Sequence, residues 1–76
     1  MSKTFSGKEM ISVLSKKYGF REVSISGSHV KMRKRENDKT ITTIVPLHEE
    51  ILIGTFKNIL RLAKIDTKDF LDKSRE

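Results

Sequence analysis

The side chains with the clearest chemical potential in this sequence are a histidine and the basic residues that follow it at alternate positions. They are His29, Lys31, Arg33 and Arg35. Val30 and Met32 lie between them, so the pleat of a strand would place the four polar side chains on one face. Imidazole, with an ordinary pKa of about 6.5, exchanges protons near neutrality, and lysine and arginine hold phosphate by charge-assisted hydrogen bonds. The pattern suits cleavage of RNA, whose own 2′-hydroxyl is the nucleophile; the alternative is an ordinary exposed histidine after a turn.

The other residues that could carry chemistry give weaker signals. His48 lies two residues after Pro46, where a histidine more often fixes a loop by hydrogen bonding to backbone, so we expect a structural role. Two histidines and scattered carboxylates lack a metal-ligand spacing such as HExxH, and we expect no metal. The four glycines are dispersed and predict no nucleotide cofactor. Without a Gly-x-Ser-x-Gly elbow, the serines are interpreted as caps and turns rather than nucleophiles.

Length and composition restrict the classes of function. With 76 residues, 36% of them hydrophobic, the chain is expected to form one domain that is too small for an enclosed cofactor site. The absence of Cys excludes disulfides, a thiolate nucleophile and Cys-ligated zinc. No apolar run approaches the roughly 18–20 residues of a membrane span, and no signal-peptide pattern is present, so we expect a cytoplasmic protein.

The basic charge is concentrated in the first half of the chain. Residues 1–39 contain ten basic and four acidic side chains, whereas residues 40–76 contain six of each, so the first half carries the whole net charge of +6. Such a one-sided field favours a polyanion such as nucleic acid, or an acidic protein partner. The alternatives are charge that maintains solubility and, for residues 31–35, a charged strand edge that discourages aggregation.

The elements that position these residues follow from local patterns. Ser6 and Glu9 have the spacing of a capping box at a helix start, and Gly19 is placed to end that helix in the left-handed conformation. Alternating polarity then predicts strands over residues 22–25 and 29–35, separated by a turn that begins at Ser26-Gly27. A β-branched run over residues 40–45 predicts the third strand of an antiparallel meander.

Two helices are predicted after the strands. An apolar set recurs at helical spacing and indicates an amphipathic helix that starts near Leu52. The set is Leu52, Phe56, Ile59, Leu60 and Ala63. Asp66 is a plausible N-cap of a short last helix in which Phe70 and Leu71 reach the core, and residues 72–76 are expected to fray. The predicted fold class is α+β, ordered α-β-β-β-α with a short C-terminal helix, in which helices cover one face of a three-stranded antiparallel sheet and leave the polar stripe to solvent.

Five ordered motifs resemble those of one protein family. They are Ser6-Gly7-Lys8-Glu9, Tyr18-Gly19-Phe20, Gly27-Ser28-His29, Val45-Pro46-Leu47-His48, and Gly54-Thr55-Phe56 with Ile59-Leu60. In type and order they are similar to those of the HicA-type toxins, which are small bacterial and archaeal mRNA interferases of toxin–antitoxin pairs. The resemblance spans residues 5–71, nearly the whole chain.

The resemblance implies both a fold and an activity. The fold is like that of the double-stranded-RNA-binding domain, and the activity is cleavage of mRNA, which arrests growth. The histidine of the Gly-Ser-His motif, here His29, is implied to be essential, and a HicB-type antitoxin is implied to bind the toxin and cover it. Many members have a second histidine directly after the first, whereas this chain has Val30, which the strand pattern points inward. His48 matches the family's Pro-x-His motif, for which we expect a structural role.

The resulting hypothesis is a metal-independent endoribonuclease, the toxin of a type II system, in one domain of residues 1–76. His29 would be the general base or acid, and the RNA phosphates would be bound by Lys31, Arg33, Arg35 and Ser28. The alternative is a non-catalytic module of the same fold that binds RNA or docks an acidic antitoxin. A DNA-binding regulator is a weaker alternative, because neither helix has a concentrated basic face.

Overall fold

Three helices and three strands follow one another in the predicted order. The computed structural model describes residues 4–76. Its elements are α1 (Gly7–Tyr18), β1 (Arg21–Ser26), β2 (His29–Glu36), β3 (Lys39–Pro46), α2 (Ile53–Ala63) and α3 (Thr67–Ser74). This is an α+β fold with the order α-β-β-β-α and a short added helix, so the predicted fold class is confirmed. Within residues 4–76, no helix is long and apolar enough to cross a membrane.

Helix α1 begins and ends at the two predicted local signals. The Ser6 hydroxyl accepts a hydrogen bond from the Glu9 backbone N–H, and the Glu9 carboxylate accepts one from the Ser6 N–H, so the capping box is present. Gly19 ends the helix with a φ of 78°, a left-handed conformation that glycine adopts without a Cβ clash. A Cβ on Gly7 would collide with the carbonyl oxygen of Pro46, so the start of α1 lies directly against the end of β3.

The strands form one antiparallel sheet in the order β1-β2-β3, with β2 in the centre. Both connections are two-residue turns that require positive φ angles. Gly27 supplies one with a φ of 60°, and Asn37 and Asp38 supply the others with φ values of 50° and 65°. Because the connections are this short, the register between neighbouring strands is closely defined.

The core lies between the sheet and the helices. Val30 and Met32 of β2 lie opposite Val45 and Thr43 of β3, and all four side chains are buried. Helix α2 packs mainly on β3, where the Thr43 hydroxyl donates a hydrogen bond of 2.8 Å to the Ile59 carbonyl oxygen. The buried apolar side chains are Phe5, Met10, Leu14, Phe20, Val30, Met32, Val45, Ile51, Phe56, Ile59, Leu60, Ala63 and Phe70.

Strand β1 is present as predicted, but its alternating apolar residues are not buried. Val23 is 45% exposed and Ile25 is 59% exposed, and every other residue of β1 is exposed as well. Two causes act together. The strand is at the sheet edge, whereas α1 and α2 pack on β3. In addition, a β-bulge at Val23 interrupts the pairing between Glu22 and Ser24.

Two predictions near the C-terminal helices are wrong. Leu52 does not belong to the apolar face of α2, because it is the N-cap residue and is 71% exposed. Residues 72–74, for which the sequence predicts fraying, are helical, since α3 continues to Ser74. The Lys73 ammonium lies 3.2 Å from the Asp69 carboxylate one helical turn earlier, and this pair supports the last turn.

The predicted N-cap of α3 is confirmed. The Asp66 carboxylate accepts a hydrogen bond of 3.2 Å from the Asp69 backbone N–H. Phe70, four residues after the cap, is fully buried. Its ring centroid lies 5.5 Å from that of Phe5 and 5.6 Å from that of Phe56, both in edge-on geometry. The short helix therefore closes one end of the core, as its sequence predicts.

Candidate functional site

The helices leave one face of the sheet uncovered, and we name this surface the open face. Directly opposed residues of an antiparallel pair point to the same side of the sheet, so the register assigns its members. The exposed and half-buried members are Arg21, Ser24, Ser26, His29, Lys31, Arg33, Arg35, Thr40, Thr42 and Ile44. The structure thus brings the four residues of the polar stripe, which are His29, Lys31, Arg33 and Arg35, together on one surface.

His29 is the first residue of the central strand and is exposed. Its backbone is held from both sides, since it pairs with Ser26 of β1 and with Pro46 of β3. The neighbouring Ser28 carbonyl oxygen accepts a hydrogen bond of 2.6 Å from the Leu47 N–H, which extends the ladder beyond the strand end. Among residues 4–76, no side chain forms a hydrogen bond or ion pair with the imidazole. A fixed backbone therefore presents a free imidazole to solvent.

The three basic residues of the stripe have no acidic partner among residues 4–76. Lys31 and Arg33 are half-buried and Arg35 is exposed. The ion pairs found in the described part of the chain are Lys17–Glu76, Lys34–Glu36 and Lys73–Asp69. None of them involves the open face, whose described members include no Asp or Glu. Their positive charge is therefore available to an external anion.

Arg33 has one internal contact that orients it. Its Nε–H donates to the Thr42 hydroxyl of β3 at 3.3 Å, and the two residues are opposed in the register. This bond uses one of the five guanidinium N–H groups and leaves the outer edge of the fork free. Alternate residues along β2 are about 7 Å apart, which is close to the separation of successive phosphates in an extended RNA strand. The spacing of the stripe therefore suits contacts with successive phosphates of one strand.

Ser28 and Lys34 have different surroundings from the stripe. Ser28 lies in the turn next to His29 and is exposed. Lys34, although it stands between two arginines of the stripe, points to the helix side of the sheet. Its ammonium lies 5.2 Å from the centroid of the Phe20 ring and 4.0 Å from the Glu36 carboxylate. The dense basic cluster of residues 31–35 is therefore divided between the two faces.

Arg21 is a member of the open face that the sequence patterns did not indicate. The register pairs it with Arg33, so both guanidinium groups lie on the same side of the sheet. Simple alternation from the Gly27-Ser28 turn would have paired Arg21 with Lys34 on the other side. The bulge at Val23 shifts the register by one residue, and no local pattern announces it.

His48 is exposed and acts on the fold through its backbone. Its carbonyl oxygen accepts a hydrogen bond of 2.8 Å from the Gly7 N–H, which joins the start of α1 to the loop after β3. Within the described residues, its imidazole makes no such bond. A cavity of about 360 Å³ beside it is lined by Ser6, Lys8, Leu47, His48 and Glu49, none of which belongs to the open face. No three His, Asp or Glu side chains within residues 4–76 are grouped so as to share a metal ion.

One comparison with known proteins identifies the family. A family model described as the HicA toxin of bacterial toxin–antitoxin systems matches residues 7–65. This region contains α1, the whole sheet and α2, and with them the open face and His29. None of the curated protein sequences compared with the chain matches it. Because the matched region is well over half of the 76 residues, the chain belongs to the HicA toxins of bacterial toxin–antitoxin systems.

Proposed function

We propose that this toxin is a metal-independent endoribonuclease that cleaves mRNA in the cytoplasm, and that residues 1–76 form a single domain for this purpose. The observation that supports it most is an exposed imidazole, without a side-chain partner among residues 4–76, at the head of a strand whose open face carries basic residues and, in the described part of the chain, no acid. A proton-transfer group and a row of phosphate-binding side chains are the minimum that cleavage of RNA requires, because the 2′-hydroxyl of the substrate supplies the nucleophile.

His29 is the proposed catalytic residue. Its imidazole takes the proton of the 2′-hydroxyl, and the 2′-oxygen forms a bond to the adjacent phosphorus. The bond from phosphorus to the 5′-oxygen of the next nucleotide breaks, and that oxygen takes a proton from water or from the imidazolium. The products are a 2′,3′-cyclic phosphate and a free 5′-hydroxyl. The described members of the open face include no second histidine and no carboxylate, so this step is assigned to one group.

Lys31 is the proposed stabiliser of the transition state at the scissile phosphate, and Arg33 is proposed to bind the RNA backbone next to it. They follow His29 at the next two positions on the same face, and neither has an acidic partner among the described residues. Negative charge increases on the phosphoryl oxygens as the 2′-oxygen attacks, and preorganised cations stabilise this charge more than that of the ground state. Arg35 and Ser28, at the two ends of the stripe, bind flanking parts of the RNA backbone.

The proposed partner is a HicB-type antitoxin that covers His29. Membership in a toxin–antitoxin family implies a neutralising partner. The open face suits an acidic protein surface as well as RNA, since its cations have no counter-charge within the part of the chain that the structure describes. An antitoxin that occupies this face excludes the substrate and hides the imidazole in one step.

The decisive experiment compares His29→Ala with His48→Ala, which removes the second of the two histidines. Single-stranded RNA is incubated with each purified protein in EDTA, and the cleavage rate and the chemistry of the product ends are measured. Loss of the proposed general acid–base group is expected to lower the rate about 10²–10⁴-fold, whereas His48→Ala should change it little. Circular dichroism should show both variants folded.

Three outcomes count against parts of the proposal. If wild type leaves RNA intact at every time point, the alternative of a non-catalytic RNA-binding or antitoxin-docking module is the better account. If EDTA abolishes cleavage, the metal-independent mechanism is wrong. If a folded His29→Ala variant cleaves as fast as wild type, the catalytic group is another residue.

A further inference from the structure

The β-bulge at Val23 changes the charge of the open face. Without it, continuous pairing from the two-residue turn would place Glu22 opposite Arg33 on the open face and Arg21 on the helix side. With it, Arg21 is opposite Arg33, and Glu22 is opposite Met32 on the helix side. One inserted residue thus removes a carboxylate from the open face and replaces it with a guanidinium.

The resulting arginine pair is unfavourable for the protein alone. Like charges directly opposite each other on neighbouring antiparallel strands destabilise the pair, because their Cβ atoms are only about 5 Å apart. Neither Arg21 nor Arg33 has an acidic partner within residues 4–76. The Thr42 hydroxyl accepts from Arg33 but carries no charge to offset the repulsion. An anion between the two guanidinium groups would turn this repulsion into attraction.

We propose that Arg21 and Arg33 together form a phosphate clamp for the RNA backbone, at a distance from the scissile bond. The proposal rests on RNA being the ligand of the open face, as proposed above. Two guanidinium groups present planar N–H forks, which match the oxygens of one phosphate in a way that single lysines do not. Arg21 is exposed at the sheet edge, so a phosphate in solvent can approach it. Arg33 is oriented by its hydrogen bond to the Thr42 hydroxyl.

The position of the clamp defines the length of RNA that it requires. Arg33 is four residues from His29 along β2, which corresponds to about 13 Å at roughly 3.3 Å per residue. Lys31 lies midway between them. The clamp therefore holds the phosphate about two nucleotides from the scissile one. The described members of the open face near Arg21 and Arg33 include no Phe, Tyr or Trp on which a base could stack, so the clamp reads the backbone rather than the base sequence.

The test measures RNA binding without cleavage, in the His29→Ala background. Affinity for a short single-stranded RNA is measured by fluorescence anisotropy at several salt concentrations, for Arg21→Gln and for its control Lys34→Gln. The control removes the same charge from the other face of the sheet. Arg21→Gln is expected to lower the affinity about tenfold and to reduce the slope of log K against log salt by about 0.7, as for one lost phosphate contact on a single strand. Lys34→Gln should change affinity less than about twofold.

Two further readouts separate a clamp from a general basic field. The Arg21→Gln/Arg33→Gln double variant should lose less affinity than the two single losses combined, because the two side chains share one phosphate. Arg21→Gln should also not lower the melting temperature, since it removes a repulsion. The same affinities are measured for RNAs shortened from one end and for RNAs shortened from the other. In one of these two series, the affinity difference caused by Arg21→Gln should disappear once the clamped phosphate has been removed.

The outcomes distinguish this proposal from the proposed nuclease activity. Equal losses for Arg21→Gln and Lys34→Gln, or strictly additive losses for Arg21 and Arg33, would overturn the clamp whatever the protein does to RNA. If wild type fails to cleave RNA while the loss specific to Arg21 remains, the nuclease is wrong and the clamp is supported as part of an RNA-binding surface.

Discussion

The two faces of β2 differ in whether their side chains have partners within the fold. On the helix side, Val30 and Met32 are buried and Lys34 has internal partners in Glu36 and the Phe20 ring. On the open face, the basic residues have no acidic partner in the described part of the chain. Basic residues that are adjacent in sequence therefore have opposite roles, because a charge that the fold neutralises is less available to a ligand.

The two faces of β2 differ in how much their side chains contribute to the free energy of unfolding. Burial of a large apolar side chain stabilises a fold by about 1.5–3 kcal/mol, whereas substitutions of exposed side chains usually change stability by less than about 0.5 kcal/mol. Residues on the open face are thus free to vary for function at little cost in stability. The comparison predicts that stability and RNA binding separate cleanly along alternate positions of β2.

The largest expected effect comes from Met32→Ala. Met32 is fully buried in the centre of the sheet, and its truncation leaves a cavity between the sheet and the helices. We expect the free energy of unfolding to fall by about 2–5 kcal/mol, as measured by urea denaturation. For a domain of this size, that is a large part of the total stability.

Its matched control is Lys31→Ala, one position earlier on the open face. This variant should unfold within about 0.5 kcal/mol of wild type, while its affinity for single-stranded RNA falls about tenfold, with a smaller salt slope. If Lys31→Ala is as unstable as Met32→Ala, or if it binds RNA as well as wild type does, the division of labour between the faces is wrong.

Local patterns predicted most of this fold because their causes are local. The capping box at Ser6 and the C-terminal glycine of α1 are fixed by neighbours within a few residues, and the alternation of β2 determines which face His29 joins. This is why the stripe was predictable before its partners in space were known.

The errors concern features that depend on distant contacts. Leu52 continues the apolar pattern but stands one residue before the helix, so its side chain stays in solvent. The sequence predicts fraying of residues 72–76 because their contact with α1, the Lys17–Glu76 ion pair, joins residues far apart in the chain. Arg21 was missed because the bulge at Val23 changes its face, and a bulge is defined by the pairing of two strands rather than by one.

Two adjacent threonines of β3 provide a second and smaller test of the comparison. The buried Thr43 donates to the Ile59 carbonyl oxygen on the helix side, whereas Thr42 accepts from Arg33 on the open face. Thr43→Val should lower the free energy of unfolding by about 1 kcal/mol, the net value of one buried hydrogen bond, as measured by thermal or urea unfolding.

The companion variant, Thr42→Val, should leave stability nearly unchanged and weaken RNA binding only slightly, because Arg33 loses its orientation but keeps its charge. An equal loss of stability in both variants would mean that the open face also contributes to the fold.

The smallest expected effect concerns a hydrogen-bonded pair of side chains that joins α1 to α3. The Tyr18 hydroxyl of α1 donates a hydrogen bond to the Asp69 carboxylate of α3, and Lys73 also donates to this carboxylate. The bond from Tyr18, with the weaker contribution of Lys73, lowers the pKa of the Asp69 carboxyl. Burial of Tyr18, together with Asp69, raises the pKa of its hydroxyl. Each group therefore favours in the folded state the protonation form that keeps the bond between the two helices.

The direction of the pH dependence follows from these two shifts. Below about pH 4, the unfolded chain protonates Asp69 more readily than the folded chain does, so acid lowers the free energy of unfolding. Above about pH 10, the unfolded chain loses the Tyr18 proton first, so alkali lowers it as well. Urea denaturation between pH 3 and pH 11 should therefore show a smaller acid-side loss for Asp69→Asn and a smaller alkaline-side loss for Tyr18→Phe than for wild type. If both variants follow the wild-type curve, the pair does not couple α3 to α1, and α3, which lies outside the matched family region, depends mainly on its apolar contacts, of which those of Phe70 are the most buried.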